Sequence, residues 1–219
     1  MIIYHGSKQV IEKPILKGSN ASNDYGPAFY MSLDLDAAKS WACSNNSIGI
    51  VNKYSVSEFK FKTFKILDLR DKEKYSVLNW IAILMHFRSL DDSFIKKNKL
   101  VLEWLNKFYI DVDQYDVIIG YRADDAYFRF PAKFISNDLS LKDLENTFKL
   151  GNLGVQYAFI SKKAIDSLKC ITSIECDEQY LGHYFKTVNE ATFKFDELLQ
   201  VERDPRKTYV LDLMRKDYE

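Results

Sequence analysis

The chain has 219 residues, with 31 basic and 31 acidic side chains and no formal net charge. Its length bounds it to one large domain, or a domain carrying an insertion. The balanced charge argues against a strongly basic nucleic-acid binder, and 47% hydrophobic content excludes a disordered chain. Cys43, Cys170 and Cys176 make neither a disulfide framework nor a Cys-x-x-Cys pair, which points to a reducing compartment. The first residues lack a charged leader with an apolar run, and no stretch of about 20 uncharged apolar residues occurs. The expectation is a cytoplasmic protein without a membrane span.

In chain order, Ile2 to His5 reads as a short strand ending in His5-Gly6-Ser7. A polar loop from Lys8 to Asn23 follows, then a second strand from Ala28 to Ser32. Asp34 or Asp36 can cap the next helix, because a carboxylate there accepts orphan backbone N–H groups. Ala37, Ala38, Trp41 and Ala42 share a face of that helix. Gly49–Tyr54 and Phe59–Leu67 read as strands, the latter with a bulge or turn near Thr63.

Lys74–Phe87 and Asp91–Tyr109 carry helical spacing and make a helical insertion over about 72–110, expected to cap one side of the sheet. Tyr115–Gly120 is an apolar run closed by glycine, the clearest buried strand. Leu139–Leu150 reads as an amphipathic helix, Gly154–Ile160 as a strand, Lys162–Leu168 as a short helix and Cys170–Cys176 as a strand. From about Asp177 the chain becomes a charged extension with a helical fragment at Val210–Met214. One domain over 1–219 is expected.

The N-terminal stretch carries the chemistry. Tyr4-His5-Gly6-Ser7 precedes Asp24-Tyr25-Gly26-Pro27-Ala28-Phe29-Tyr30, and Trp41 lies eleven residues after Tyr30. This ordered set resembles the NAD-binding half of the ADP-ribosyltransferases of the diphtheria-toxin and poly-ADP-ribose-polymerase class. It is similar, more closely, to an uncharacterised family of small bacterial proteins that open Tyr-His-Gly-Ser. Ala28 stands where that family usually has glycine, and a Cβ there forbids backbone angles that glycine allows.

The resemblance implies an α+β fold, a split pair of small antiparallel sheets with an NAD cleft. It also implies NAD as substrate and mono-ADP-ribosyl transfer to a macromolecular acceptor, expected to be a protein, by a toxin or phage-defence effector that a partner or antitoxin protein would hold. Gly6 and Ser7 would hold the nicotinamide carboxamide, because glycine lets the backbone approach closely and serine adds a hydroxyl. Tyr30 and Trp41 would face the pyridinium ring, since aromatic faces attract cations. His5 would bond an adenosine-ribose hydroxyl.

The late-strand glutamate of the class has its best match in Gln156, which offers similar hydrogen bonds without the charge. Glu190, in Asn189-Glu190-Ala191-Thr192-Phe193, is the runner-up, read as opening an alternating strand; an exposed edge-strand glutamate is its plainer reading. Asp124-Asp125 follow a strand end, where paired carboxylates can hold a metal or share a proton. No ligand of matching spacing accompanies them, and His86 and His183 stand too far apart in sequence to suggest zinc. Two other classes remain open: a catalytically weak NAD- or nucleotide-binding module, and an interaction scaffold that docks through the helical insertion.

Overall fold

The computed structural model describes residues 1–16, 21–123, 128–147 and 154–218. The fold is α+β, with two small sheets and helices packed on their outer faces. The first sheet has the order β1-β3-β7, from Ile2–Ser7 (β1), Ile50–Ser55 (β3) and Lys169–Glu175 (β7), all antiparallel. The second has the order β2-β6-β5-β4, from Phe29–Met31 (β2), Val155–Phe159 (β6), Val117–Tyr121 (β5) and Ile66–Asp68 (β4). One isolated bridge, Tyr4 to Ser32, joins β1 to the end of β2.

The second sheet corrects the all-antiparallel expectation, because β4 and β5 run parallel. Parallel neighbours need a long crossover. Here the segment expected as a capping insertion is that crossover. It contains α3 (Val77–Phe87), α4 (Asp92–Lys97) and α5 (Lys99–Leu105). Trp80, Ile81, Ile83 and Leu84 of α3 are buried in the larger core, which also holds Ile118 and Ala158 from one face of the second sheet. The opposite face meets the first sheet, where Phe29, Val117 and Phe159 pack with Ile3 and Tyr54.

The helix α1 (Leu35–Ala42) starts where Asp34 accepts from the N–H groups of Asp36 and Ala37, as its sequence suggests. It lies against the first sheet at glycine positions. A Cβ on Gly6 would stand 2.2 Å from the Ala38 oxygen, and one on Gly49 2.2 Å from the Ala42 oxygen. Gly6 in β1 and Gly49 just before β3 thus set how closely α1, which carries Trp41, can sit.

Other sequence expectations change. The Phe59–Leu67 strand is only its last part. Ser57 accepts from the Lys60 N–H and starts a short helix, Glu58–Phe61 (α2), while Phe59 is exposed. The helix expected over Asp91–Tyr109 breaks at Asn98, whose side-chain amide donates to the Phe94 carbonyl and ends α4. Such side-chain competition for a backbone carbonyl is why asparagine interrupts helices. Between β5 and β6 lie α6 (Arg129–Ile135) and α7 (Leu141–Thr147), the latter matching the first part of the amphipathic segment. Phe148–Leu150 of that segment, and the Asp124-Asp125 pair, lie outside the described residues.

The short helix α8 (Lys162–Ile165) precedes β7. The charged tail then folds back instead of extending away. Its helix α9 (His183–Leu199) buries Ala191 and Phe195, and the Phe195 ring meets that of Phe130 with centroids 4.2 Å apart. The last helix, α10 (Val210–Tyr218), buries Val210, and Asp217 accepts from the Trp104 indole at 2.9 Å. Among the described residues no helix is long and apolar enough to cross a membrane.

Candidate functional site

A cleft of about 680 Å³ opens where the edges of the two sheets diverge past the Tyr4–Ser32 bridge. It is lined by His5, Gly6, Tyr30, Trp41 and Gln156, five of the seven residues singled out from the sequence. Asp24, Arg88 and Arg122, to which the sequence had assigned no role, also line it.

His5 is held on both sides. Its Nδ1 lies 2.7 Å from the Tyr30 carbonyl, and its ring stacks on Phe29 at 4.2 Å between centroids. A carbonyl only accepts, so Nδ1 carries the proton and Nε2 is left as an acceptor. Burial lowers the imidazole pKa, more than the Tyr30 carbonyl raises it. The ring is therefore neutral near pH 7, with an acceptor nitrogen that has no protein donor among the described residues.

Gly6 follows on β1. Strand alternation turns the N–H and C=O of Gly6 to the same side as those of Tyr4, which bond Ser32. The Gly6 pair lies beyond that isolated bridge, at the mouth of the cleft. One donor and one acceptor side by side match a carboxamide. Ser7 is a different case. Its hydroxyl donates to the Gln9 carbonyl at 2.6 Å and accepts from Asn52 Nδ2 at 3.0 Å, so it fastens the loop after β1 and does not line the cleft.

Tyr30 and Gln156 share a face of the second sheet. Tyr30 pairs directly with Ala158, and Gln156 is two residues from Ala158 on β6. The Tyr30 hydroxyl donates to the Gly26 carbonyl at 2.7 Å and accepts from the Tyr25 N–H at 3.0 Å. Burial pushes its pKa up, so it stays a neutral phenol. The hydroxyl is thus an anchor for the Tyr25–Gly26 turn, and the ring supplies the aromatic surface.

Gln156 is 4% exposed, and its Nε2 donates to Asp24 at 2.7 Å and to the Tyr121 carbonyl at 3.4 Å. Both partners are acceptors, which fixes the amide orientation. Its Oε1 has no donor among the described residues and is available to a ligand hydroxyl. Asp24 is 5% exposed and gives this site a buried carboxylate. Beyond Gln156, it accepts from the Ala123 N–H at 2.8 Å and from Arg88 Nη2 at 2.6 Å and Nε at 3.1 Å. Arg88 Nη2 also donates to the Ala123 carbonyl. A carboxylate, which the transferase resemblance would expect at position 156, lies next to it instead and is matched by a guanidinium.

Trp41 is half-exposed at the cleft wall. Its ring meets Tyr184 of α9 edge-on at 5.8 Å, and the Arg122 guanidinium lies 4.8 Å from its centroid. The face expected to receive a cationic ligand ring already carries a protein cation. Glu190 lies on the exposed side of α9, not on a late strand, and does not line the cleft. Its neighbours mislead by alternating: Ala191 and Phe195 are buried at helical spacing while Phe193 is 65% exposed. Among the described residues no group of three or more His, Cys, Asp or Glu could hold a metal ion.

Asp24 sits in the Asp24-Tyr25-Gly26 stretch, where its residue type was a signal for a site carboxylate. Nothing local marks Arg88, 64 residues away, as its partner.

A family model described as a protein of unknown function, DUF3990, matches residues 1–170. The chain belongs to that family. The DUF3990 match spans every residue named above that lines the cleft, and it ends before α9, so Glu190 falls outside it. No curated protein and no solved structure matches the chain.

Proposed function

We propose that the cleft binds NAD and that the protein transfers a single ADP-ribosyl group from it to a macromolecular acceptor. The observation that carries this reading is one cleft lined by His5 and Gln156, whose Nε2 and Oε1 are acceptors without donors among the described residues, beside Tyr30 and the Gly6 peptide groups. Two ribose hydroxyls are natural donors for the two acceptors, and a carboxamide suits Gly6.

In the reaction, the bond between the nicotinamide nitrogen and the ribose C1′ breaks. Its electron pair neutralises the pyridinium, and nicotinamide leaves uncharged. The acceptor's nucleophilic atom bonds C1′, and its proton passes to solvent. Gly6 and Tyr30 hold the leaving group in line, which lowers the entropic part of the barrier. Gln156 holds a hydroxyl of the reacting ribose, and the nearby Asp24 carboxylate favours the positive charge that develops on that sugar.

Arg88 offsets much of the Asp24 charge, which favours a second reading: an NAD-binding module with slow turnover. Mass spectrometry of nicotinamide, after mixing the protein with NAD and bacterial lysate, separates the two. Transfer predicts nicotinamide release with a matching ADP-ribose mass on a lysate macromolecule, both lost in His5→Ala. Binding of NAD without release would replace transfer by the module, and absence of both would remove the reading.

A further inference from the structure

Arg122 has no ion pair with any described residue, although it lines the same cleft. Arg88, the other guanidinium there, is matched by Asp24. The backbone on both sides of Arg122 is tied down. The Tyr121 carbonyl accepts from the Tyr25 hydroxyl at 2.7 Å and the Trp80 indole at 3.2 Å, and the Ala123 N–H donates to Asp24. The side chain rests on the Trp41 ring, 4.8 Å from its centroid. A guanidinium on an aromatic ring keeps its N–H fork free for an anion, and that fork fits phosphate oxygens in pairs. Glu12 and Lys13 of the loop after β1 add one exposed charge of each sign to the rim.

We propose that Arg122, seated on Trp41, is the contact for the phosphate groups of a nucleoside-diphosphate ligand. This deepens the NAD reading and rests on it for the identity of the rest of the ligand. It also sets the ligand's direction in the cleft. A pyridinium stacked on Trp41 would face the guanidinium, a like charge, so the nicotinamide end belongs at Gly6 and Tyr30. The diphosphate then runs past Trp41.

The test is calorimetric titration of the full chain and of Arg122→Gln with four probes: NAD, ADP-ribose, inorganic pyrophosphate and nicotinamide riboside. Charge-assisted contacts to phosphate predict that Arg122→Gln weakens the first three by roughly 10- to 100-fold. Binding of nicotinamide riboside, which has no phosphate, should be unchanged. Arg122→Lys should recover only part of the loss, and rising salt should weaken the wild type more than Arg122→Gln. An unchanged thermal midpoint checks that the variants fold.

If NAD binds Arg122→Gln as tightly as wild type, the phosphate contact is wrong and the NAD site stands. If pyrophosphate and ADP-ribose depend on Arg122 while NAD binds no better than ADP-ribose, the contact stands and the NAD reading falls. Equal losses for nicotinamide riboside, or no binding by any probe, would overturn the contact.

Discussion

Gln156→Glu restores the side chain that the transferase resemblance calls for, yet the site is built against it. The amide nitrogen it replaces lies 2.7 Å from Asp24 Oδ2, with Gln156 only 4% exposed. Two ionised carboxylates at that distance repel by about 6 kcal/mol even at an effective dielectric near 20. The cheaper response is to keep a proton on one of them. Protonating a glutamate of ordinary pKa at pH 7 costs about 4 kcal/mol, which sets a ceiling on the penalty, and Arg88 beside Asp24 reduces it.

A loss of about 2–4 kcal/mol at pH 7 is expected, or roughly 5–15 °C in Tm for a chain of this size. The introduced glutamate has a raised folded-state pKa. Its penalty is therefore absent below the unfolded value near 4.3, grows as pH rises through the folded value, and is below about 1 kcal/mol at pH 5. Thermal melts at pH 5 and 7 measure it, and Asp24→Asn with Gln156→Glu should recover most of the loss at pH 7. Unchanged stability at pH 7, or a penalty that ignores pH, would show that Asp24 and residue 156 are not coupled as described.

Gly6→Ala should fail as a clean probe of the carboxamide contact, because its Cβ would stand 2.2 Å from the Ala38 oxygen; chemical denaturation should show a loss of about 1–3 kcal/mol as α1 is pushed away. Arg88→Met leaves the buried Asp24 charge without its guanidinium and should cost about 3–5 kcal/mol by the same measurement. Tyr30→Phe removes the acceptor of the Tyr25 N–H and should cost about 1–3 kcal/mol while retaining the ring at the cleft wall; on the proposed reading, calorimetry with NAD should find affinity kept within a few-fold. The lowered His5 pKa means that its contribution to stability is full above about pH 6.5 and is lost as pH falls through the folded value. The midpoint difference between wild type and His5→Gln should therefore shrink between pH 7.5 and 5.

Much of the strand framework was legible because it depends on local pattern. The Asp34 cap, the β5 run and the His5–Ser7 strand end are set by residues adjacent in the chain. The misread elements were decided by longer-range packing. Ala191 and Phe195 face the core only because α9 folds back onto Phe130, so the same letters could be taken for an alternating strand. The parallel β4–β5 pair was hidden because a helical insertion and a crossover look alike until the strands are paired. At the site, His5, Gly6, Tyr30 and Gln156 stood out by type and order. Asp24, Arg88 and Arg122 did not, since their roles come from contacts across more than 60 residues of chain, such as Arg88 to Asp24 and Arg122 to Trp41.

On the proposed reading, His5 and Gln156 offer their acceptors to NAD in the cleft. Calorimetric titration of the wild-type chain with NAD, beside His5→Ala, tests it most directly. Saturable one-to-one binding is expected, weakened at least tenfold in His5→Ala while the thermal midpoint stays within a few degrees. Absence of heat at millimolar NAD, or binding indifferent to His5, would contradict it.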